Sequence, residues 1–207
     1  MKTFTKICLT LLLSVTLVAE FNSEASASTS HTVQYGDTMW KIAMRYKIGT
    51  SEIINANPQV DNPNWIYPGQ RLNIPTINTV KSVEAQIVDL VNQERAKHGL
   101  HPLKANWELA RVARYKSKDM LQNNYFSHTS PTYGSPFTMM RNFGISYRTA
   151  GENIAAGQPT AQAVMKAWMN SDGHRKNILS NNFYEIGVGY AEGGSYGHYW
   201  TQMFITR

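Results

Sequence analysis

One cysteine is all that this 207-residue chain contains, and it is Cys8. It falls in an apolar run from Ile7 to Ala19, which follows Lys2 and Lys6 and precedes the small-residue stretch "SEASAST". A basic start, a short apolar run and small residues in that order form the pattern of a secretory signal peptide, with cleavage expected after Ala27. Residues 1–27 are then set aside, and the rest of the chain is expected to be secreted and free of thiol. That excludes cysteine catalysis and a disulfide framework. A thiol-free exported protein rests on its hydrophobic core, and it suits export by a Gram-positive bacterium at least as well as a eukaryotic secretory route.

Long hydrophobic runs are lacking too, since the opening run is too short to cross a bilayer, and no membrane span is expected. Acidic excess is absent: the formal net charge is +6, and Lys2, Lys6, Glu20 and Glu24 cancel within the expected signal peptide. The basic residues are scattered and no nucleic-acid motif accompanies them, so no nucleic-acid partner is expected. Outside a bacterial cell the polyanions that such a charge suits are teichoic acids and anionic glycan strands.

What is present divides into two parts. From His31 to Pro75 the chain reads "HTVQYGDTMWKIAMRYKIGTSEIINANPQVDNPNWIYPGQRLNIP". "HTVQY" suits a strand, Gly36-Asp37 a turn, and Asp37 or Thr38 the cap of a helix whose Met39, Ile42, Ala43 and Tyr46 share a face. Thr50 or Ser51 caps a second helix that ends before Asn57-Pro58, Pro68-Gly69 turns the chain, and "QRLNIP" closes as a strand. The pattern is βααβ. Trp40 and Ile42 are expected in its core.

With its "GDT" turn, "ANP" helix end and "IYPGQRLNIP" close, this segment resembles a LysM module over residues 31–75. The resemblance implies binding of N-acetylglucosamine-containing glycans such as peptidoglycan. It places the groove between Gly36, Asp37, Thr38 and Met39 on one side and Asn64, Trp65, Ile66 and Tyr67 on the other. An acetamido sugar needs backbone polar groups for its amide and an apolar patch for its ring face, which such loops supply. The alternative for Trp65 and Tyr67 is core packing of a very small domain.

Residues 76–82, "TINTVKS", read as a short polar linker. From Val83 to the end a second domain follows. Val83, Ile87, Leu90 and Val91 mark a helix ending near Gly99, and Asn106 caps another carrying Leu109, Ala110, Val112, Ala113 and Met120. Further helices are expected at Pro136 to Phe143 and at about Thr160 to Ser171. "EIGVGYA" and "HYWTQMFIT" read as a hairpin around a turn at Glu192 to Gly197. The fold class is α+β, with helices packed on a small antiparallel sheet.

"LVNQERAKHGL", "FSHTSP", "AGENIA", "AWMNSDGHRKNIL" and "EIGVGY" together make residues 83–207 similar to the CAP superfamily, in a bacterial, disulfide-free form. That resemblance implies an α-β-α sandwich. It also implies a cleft with two histidines and two acids, often able to bind a divalent metal. Carried onto this chain, the histidines are His128 and His174 and the first acid is Glu152. The second acid's position holds Ser171, with Asp172 one step away as a possible fourth member and Glu185 a more distant reserve.

Two imidazoles and a carboxylate would suit zinc, or a histidine base with Glu152 orienting it. The structural alternative is that His174 caps a helix start and Asn153 satisfies backbone groups. The three candidate catalytic residues are expected to converge from three different loops. A glycine backbone is expected to be required at Gly173, after a helix stop at Asp172.

Two functions stand side by side on this reading. One is a noncatalytic wall protein, held on peptidoglycan by LysM and binding a ligand, a wall protein or a spore-envelope protein through the CAP cleft. The other is a wall-acting or peptide-cleaving hydrolase. No H-E-x-x-H motif or recognised glycosidase carboxylate pair supports the second, and no cofactor is required beyond a possible zinc ion.

Overall fold

The computed structural model describes residues 29–75 and 78–207. The expected signal peptide and the first two linker residues lie outside the described residues. The remainder of the expected linker is helical, because α3 spans Asn78–Lys97.

The first module pairs β1 (Thr29–Thr32) antiparallel with β2 (Arg71–Ile74), Thr29 facing Ile74. Between them lie α1 (Met39–Tyr46) and α2 (Thr50–Asn55). Thr38 caps α1 by accepting from the Lys41 amide. Met39, Ile42, Ala43, Ile48, Ile53 and Leu72 form the module's own core. Asn57 explains the turn signal beside Pro58: buried, it donates to the Ile53 carbonyl at 2.7 Å and accepts from the Asn73 amide at 2.7 Å, tying the end of α2 to β2. Ile42 is in the core as expected, whereas Trp40 is not. It projects from the opposite side of α1 and is 60% exposed.

The second domain follows α3 with β3 (Lys104–Ala105), α4 (Trp107–Gln122), α5 (Pro136–Asn142), β4 (Thr149–Ala156), α6 (Ala161–Met169), α7 (Asp172–Ile178), β5 (Glu185–Glu192) and β6 (His198–Thr206). Asn106, Ser135 and Thr160 cap α4, α5 and α6 through their side chains, as their residue types favour. The four-stranded sheet has the order β3-β5-β6-β4. The β3–β5 pair is parallel and the others antiparallel.

Alternation along the hairpin builds the sandwich. Ile186, Val188, Trp200 and Phe204 join Ile87, Val91, Val164 and Trp168 of α3 and α6 on one face. Met203 and Ile205 join Leu109, Val112, Met139 and Met140 of α4 and α5 on the other. On that second face β5 presents glycine. A Cβ on Gly189 would lie 2.1 Å from the Ala113 backbone, so only glycine lets α4 lie directly on the sheet. The result is an α-β-α sandwich.

Three local expectations are corrected. "AGENIA" is not a loop but the core of β4, an edge strand paired along its whole length with β6. The helix before His174 stops at Met169, and Asp172-Gly173-His174 is the first turn of α7, with Ser171 as its N-cap. Gly173 therefore has no positive φ, and a Cβ there would meet nothing within 4 Å. The glycine is not required by the turn.

Candidate ligand-binding cleft

Register decides where the acid sits. Glu152 lies opposite Met203 in the sheet, which turns its side chain toward α4, while Asn153 lies opposite Gln202 on the other face. The loop after α4 brings His128 over the edge strand, and its Nδ1 donates to Glu152 Oε1 at 2.7 Å. The histidine side chain is 54% exposed and the carboxylate only 2%. Glu152 Oε2 is buried and makes no hydrogen bond. Fixing Nδ1 as the donor leaves Nε2 as the free nitrogen of a neutral His128.

His174 arrives from the other side of the strand on α7. Asn153 Nδ2 donates to the His174 carbonyl at 3.1 Å and to Gln202 Oε1 at 3.0 Å. Asn177 Nδ2, one helical turn on, donates to Asn153 Oδ1 at 2.8 Å and to the Glu152 carbonyl at 3.2 Å. These amides lock α7 to β4. The two imidazoles are near enough for charge on His128 to oppose protonation of His174, whose pKa is lowered first by burial and then by that neighbour. His128 and Glu152 are in contact and His174 lies within electrostatic reach of His128, the three coming from a loop, a strand and a helix rather than from three loops.

Sequence reasoning missed the support beneath them. Lys116, fully buried on the inner face of α4, donates to the Ser127 carbonyl at 2.7 Å and the His128 carbonyl at 2.9 Å. Burial lowers its pKa, while the charges of Glu152 and Asp119 raise it. Asp119 accepts from Ser130 and Thr132 at 2.6 Å each and from Tyr125 at 2.5 Å. Burial alone would raise the Asp119 carboxyl, but these bonds and one from Asn123 outweigh it and hold the pKa below its ordinary value. Burial raises Glu152, with the His128 hydrogen bond and the Lys116 charge opposing. A signal for Lys116 exists in the sequence: it continues the Leu109, Val112, Ala113 stripe and precedes Met120, where a lysine is out of place.

The expected fourth member fails. Asp172 is almost wholly exposed and pairs with Arg175. Glu185 accepts from Asn106 Nδ2 at 2.6 Å, at the sheet edge opposite the one that β4 forms. Among the described residues no group of three or more His, Cys, Asp or Glu side chains is placed to hold a metal ion. Glu152 Oε1 is already committed to His128. His128, His174 and Glu152 are not placed as a three-residue zinc-binding set.

The cysteine-rich secretory protein family matches residues 88–204, more than half of the chain. The chain belongs to the CAP family. A LysM domain matches residues 31–75. The uncharacterised protein YkwD of Bacillus subtilis is 60% identical to this CAP protein over 130 residues, 63% of this chain and 49% of YkwD. The uncharacterised membrane protein YlbC of the same organism is 33% identical over 196 residues, 89% of this chain and 55% of YlbC. The CAP protein therefore spans about half the length of the curated relatives it matches. A crystal structure of an extracellular protein containing an SCP domain, from Bacillus anthracis, is 38% identical with a TM-score of 0.57, covering 68% of this chain and 47% of that one.

In the LysM module the expected groove divides. Trp65 and Tyr67 are 65% and 62% exposed, so they are not core, and with Gln59, Asp61, Asn62 and Gln70 they border a surface concavity. The opposite side is committed internally. Asp37 accepts from His31 Nε2 at 2.8 Å, from the Gln34 amide at 2.9 Å and from Arg45 at 3.3 Å. Thr38 is a helix cap and Met39 a core residue. Gly36, at φ +81°, makes the turn and accepts from Lys41 Nζ at 2.7 Å. Asn64 is exposed and Ile66 half-buried against the core. The aromatic side of the expected groove is exposed, and the "GDT" side is held by contacts within the module.

Proposed function

We propose that this CAP protein is an extracellular, cell-wall-associated protein, held on peptidoglycan by its LysM module and binding a polar ligand in the cleft formed by His128, Glu152 and His174. The LysM match supports the glycan-binding half, and the exposed Trp65 and Tyr67 supply the stacking surface that a sugar ring uses. The observation that carries the other half is Glu152. Its carboxylate is buried, one oxygen holds an exposed histidine, and the other has no partner. The exposed imidazole of His128, oriented by that buried carboxylate, is the group a polar ligand can reach.

A hydrolytic reading has one observation in its favour: a raised carboxylic acid beside a histidine is the pairing used in general acid–base catalysis. Incubating the purified protein with peptidoglycan and analysing the soluble fragments separates the two. The ligand-binding reading expects no new fragments. Release of fragments by the wild type and not by His128→Ala would overturn it in favour of hydrolysis. Immunogold labelling of growing cells and of spores checks the location, and label confined to the cytoplasm would refute wall association. A spore-envelope partner is a finer possibility that the same experiment addresses.

A further inference from the structure

Two aromatic rings stand outside the core beside the loop that carries His128. Phe126 lies two residues before that histidine and Tyr196 in the turn between β5 and β6. Their ring centroids are 6.1 Å apart at 46°, and the residues are 45% and 48% exposed. Asn124 takes the left-handed region, at φ +50°, where the chain leaves α4. Tyr125 then turns inward, its hydroxyl accepting from Lys116 Nζ at 3.1 Å, and Phe126 faces solvent. Ser195 of the turn donates to the Asn124 side-chain oxygen, tying the two segments together. Tyr196 packs edge-on against Tyr199, which with Met120 and Ile154 forms a small apolar cluster joined by Ala156. Ile154 and Ala156 share the face of β4 that also carries Glu152, so the rings continue the histidine cleft along that strand.

We propose that Phe126 and Tyr196 form a stacking platform for an uncharged sugar ring, and that the polar ligand of the His128 cleft is an acetamido glycan strand. The proposal rests on the wall-associated reading given above and names the ligand class of its cleft. The chemistry around the rings selects the partner. Residues 122–127, 156–158 and 193–197, which meet here, contain no Asp, Glu, Lys or Arg and supply amide and hydroxyl groups instead. A pyranose sets its C–H face on an aromatic ring and its hydroxyls against neutral polar groups. A polyanion finds no lysine or arginine in these segments to pair with, and a charged peptide finds no counter-ion. The exposed His128 imidazole, with Nε2 free, stands at the end of the platform to bond a further hydroxyl. The LysM module keeps glycan at high local concentration, so a weak subsite suffices.

The test is a titration of the isotope-labelled full chain with the uncharged sugar tetra-N-acetylchitotetraose, followed by amide NMR. Two groups of signals are expected to move: residues 64–70 of the LysM module, and residues 124–128 with 195–197 of the platform. Phe126→Ala and Tyr196→Ala should each weaken the platform response about threefold to tenfold and leave the LysM response unchanged. Both rings are half exposed, so the fold should survive their loss, with an unchanged circular dichroism spectrum. Tyr196→Phe keeps the ring and should bind as wild type does. Trp65→Ala should weaken only the LysM response. The proposal is overturned if the platform signals stay still, and movement of residues 64–70 in the same titration would show that the LysM reading survives. It is also overturned if both alanine variants respond as wild type does, or if a wall stem tetrapeptide moves the platform signals and the sugar does not. Movement of the platform signals alone would support the platform and strike the LysM anchor.

Discussion

His174 stands in the first turn of α7, half-buried and close to His128, and both circumstances disfavour its charged form. Its folded pKa lies below 6.5, the ordinary value that it regains on unfolding. Below 6.5 the unfolded chain therefore binds protons more readily than the folded one, and stability is lost as pH falls through that window. His174→Ala should show a shallower loss of stability on that acid side, measured by chemical denaturation across a pH series. An unchanged slope would show that the imidazole is not held neutral. The glycines give a sharper contrast. Gly189→Ala drives a Cβ into the α4 backbone and should cost about 3 kcal/mol or prevent folding. Gly173→Ala enters open space in a helix and should stabilise by about 0.5–1 kcal/mol. Thermal melts of the two variants check both signs.

Between elements, the amides of Asn153 and Asn177 decide how α7 docks on β4. Asn177→Ala removes bonds to Asn153 Oδ1 and to the Glu152 carbonyl and leaves buried acceptors short of donors, a loss of about 1–3 kcal/mol. Asn177→Asp also removes the donor and adds a charge facing those acceptors, so it should be no better than alanine. The His174 imidazole signals in NMR should move in both variants. Lys116 does the same for the opposite wall: it holds the carbonyls of Ser127 and His128. Lys116→Met keeps the packing and loses those bonds. Backbone amides of residues 127–130 should then exchange with deuterium faster than in wild type, while those of α6 stay protected.

For the whole molecule, the two parts carry separate cores, one around Ile42, Ile53 and Leu72 and another around the sheet. Residues 29–75 expressed alone should therefore fold and co-sediment with purified peptidoglycan at low salt. Trp65→Ala should reduce that binding without changing the circular dichroism spectrum, because the indole is exposed and packs little. A module that folds but does not sediment would remove the anchoring role.

By itself the sequence determined the two-domain division, the helix cap at Asn106, the choice of Asp37 or Thr38 as the cap of α1, and the final hairpin. These features rest on local chemistry: capping hydroxyls and amides, apolar periods, and alternation along "HYWTQMFIT". His128, Glu152 and His174 were also legible, but only through the resemblance of their motifs to the CAP family. What only the tertiary structure decided is how those residues are held. "GENIA" lacks the alternation of a half-buried strand because both faces of β4 are covered, so its strand character came from pairing with β6. Trp40 looked like core, yet the α1 stripe was already filled by Met39, Ile42 and Ala43, which turned it outward. Asp172 looked like a substitute acid, but its place in the first turn of α7 points it to Arg175 and solvent. Lys116 was set under His128 by contacts that span sheet, helix and loop, and partners distant in sequence leave no local spacing to read.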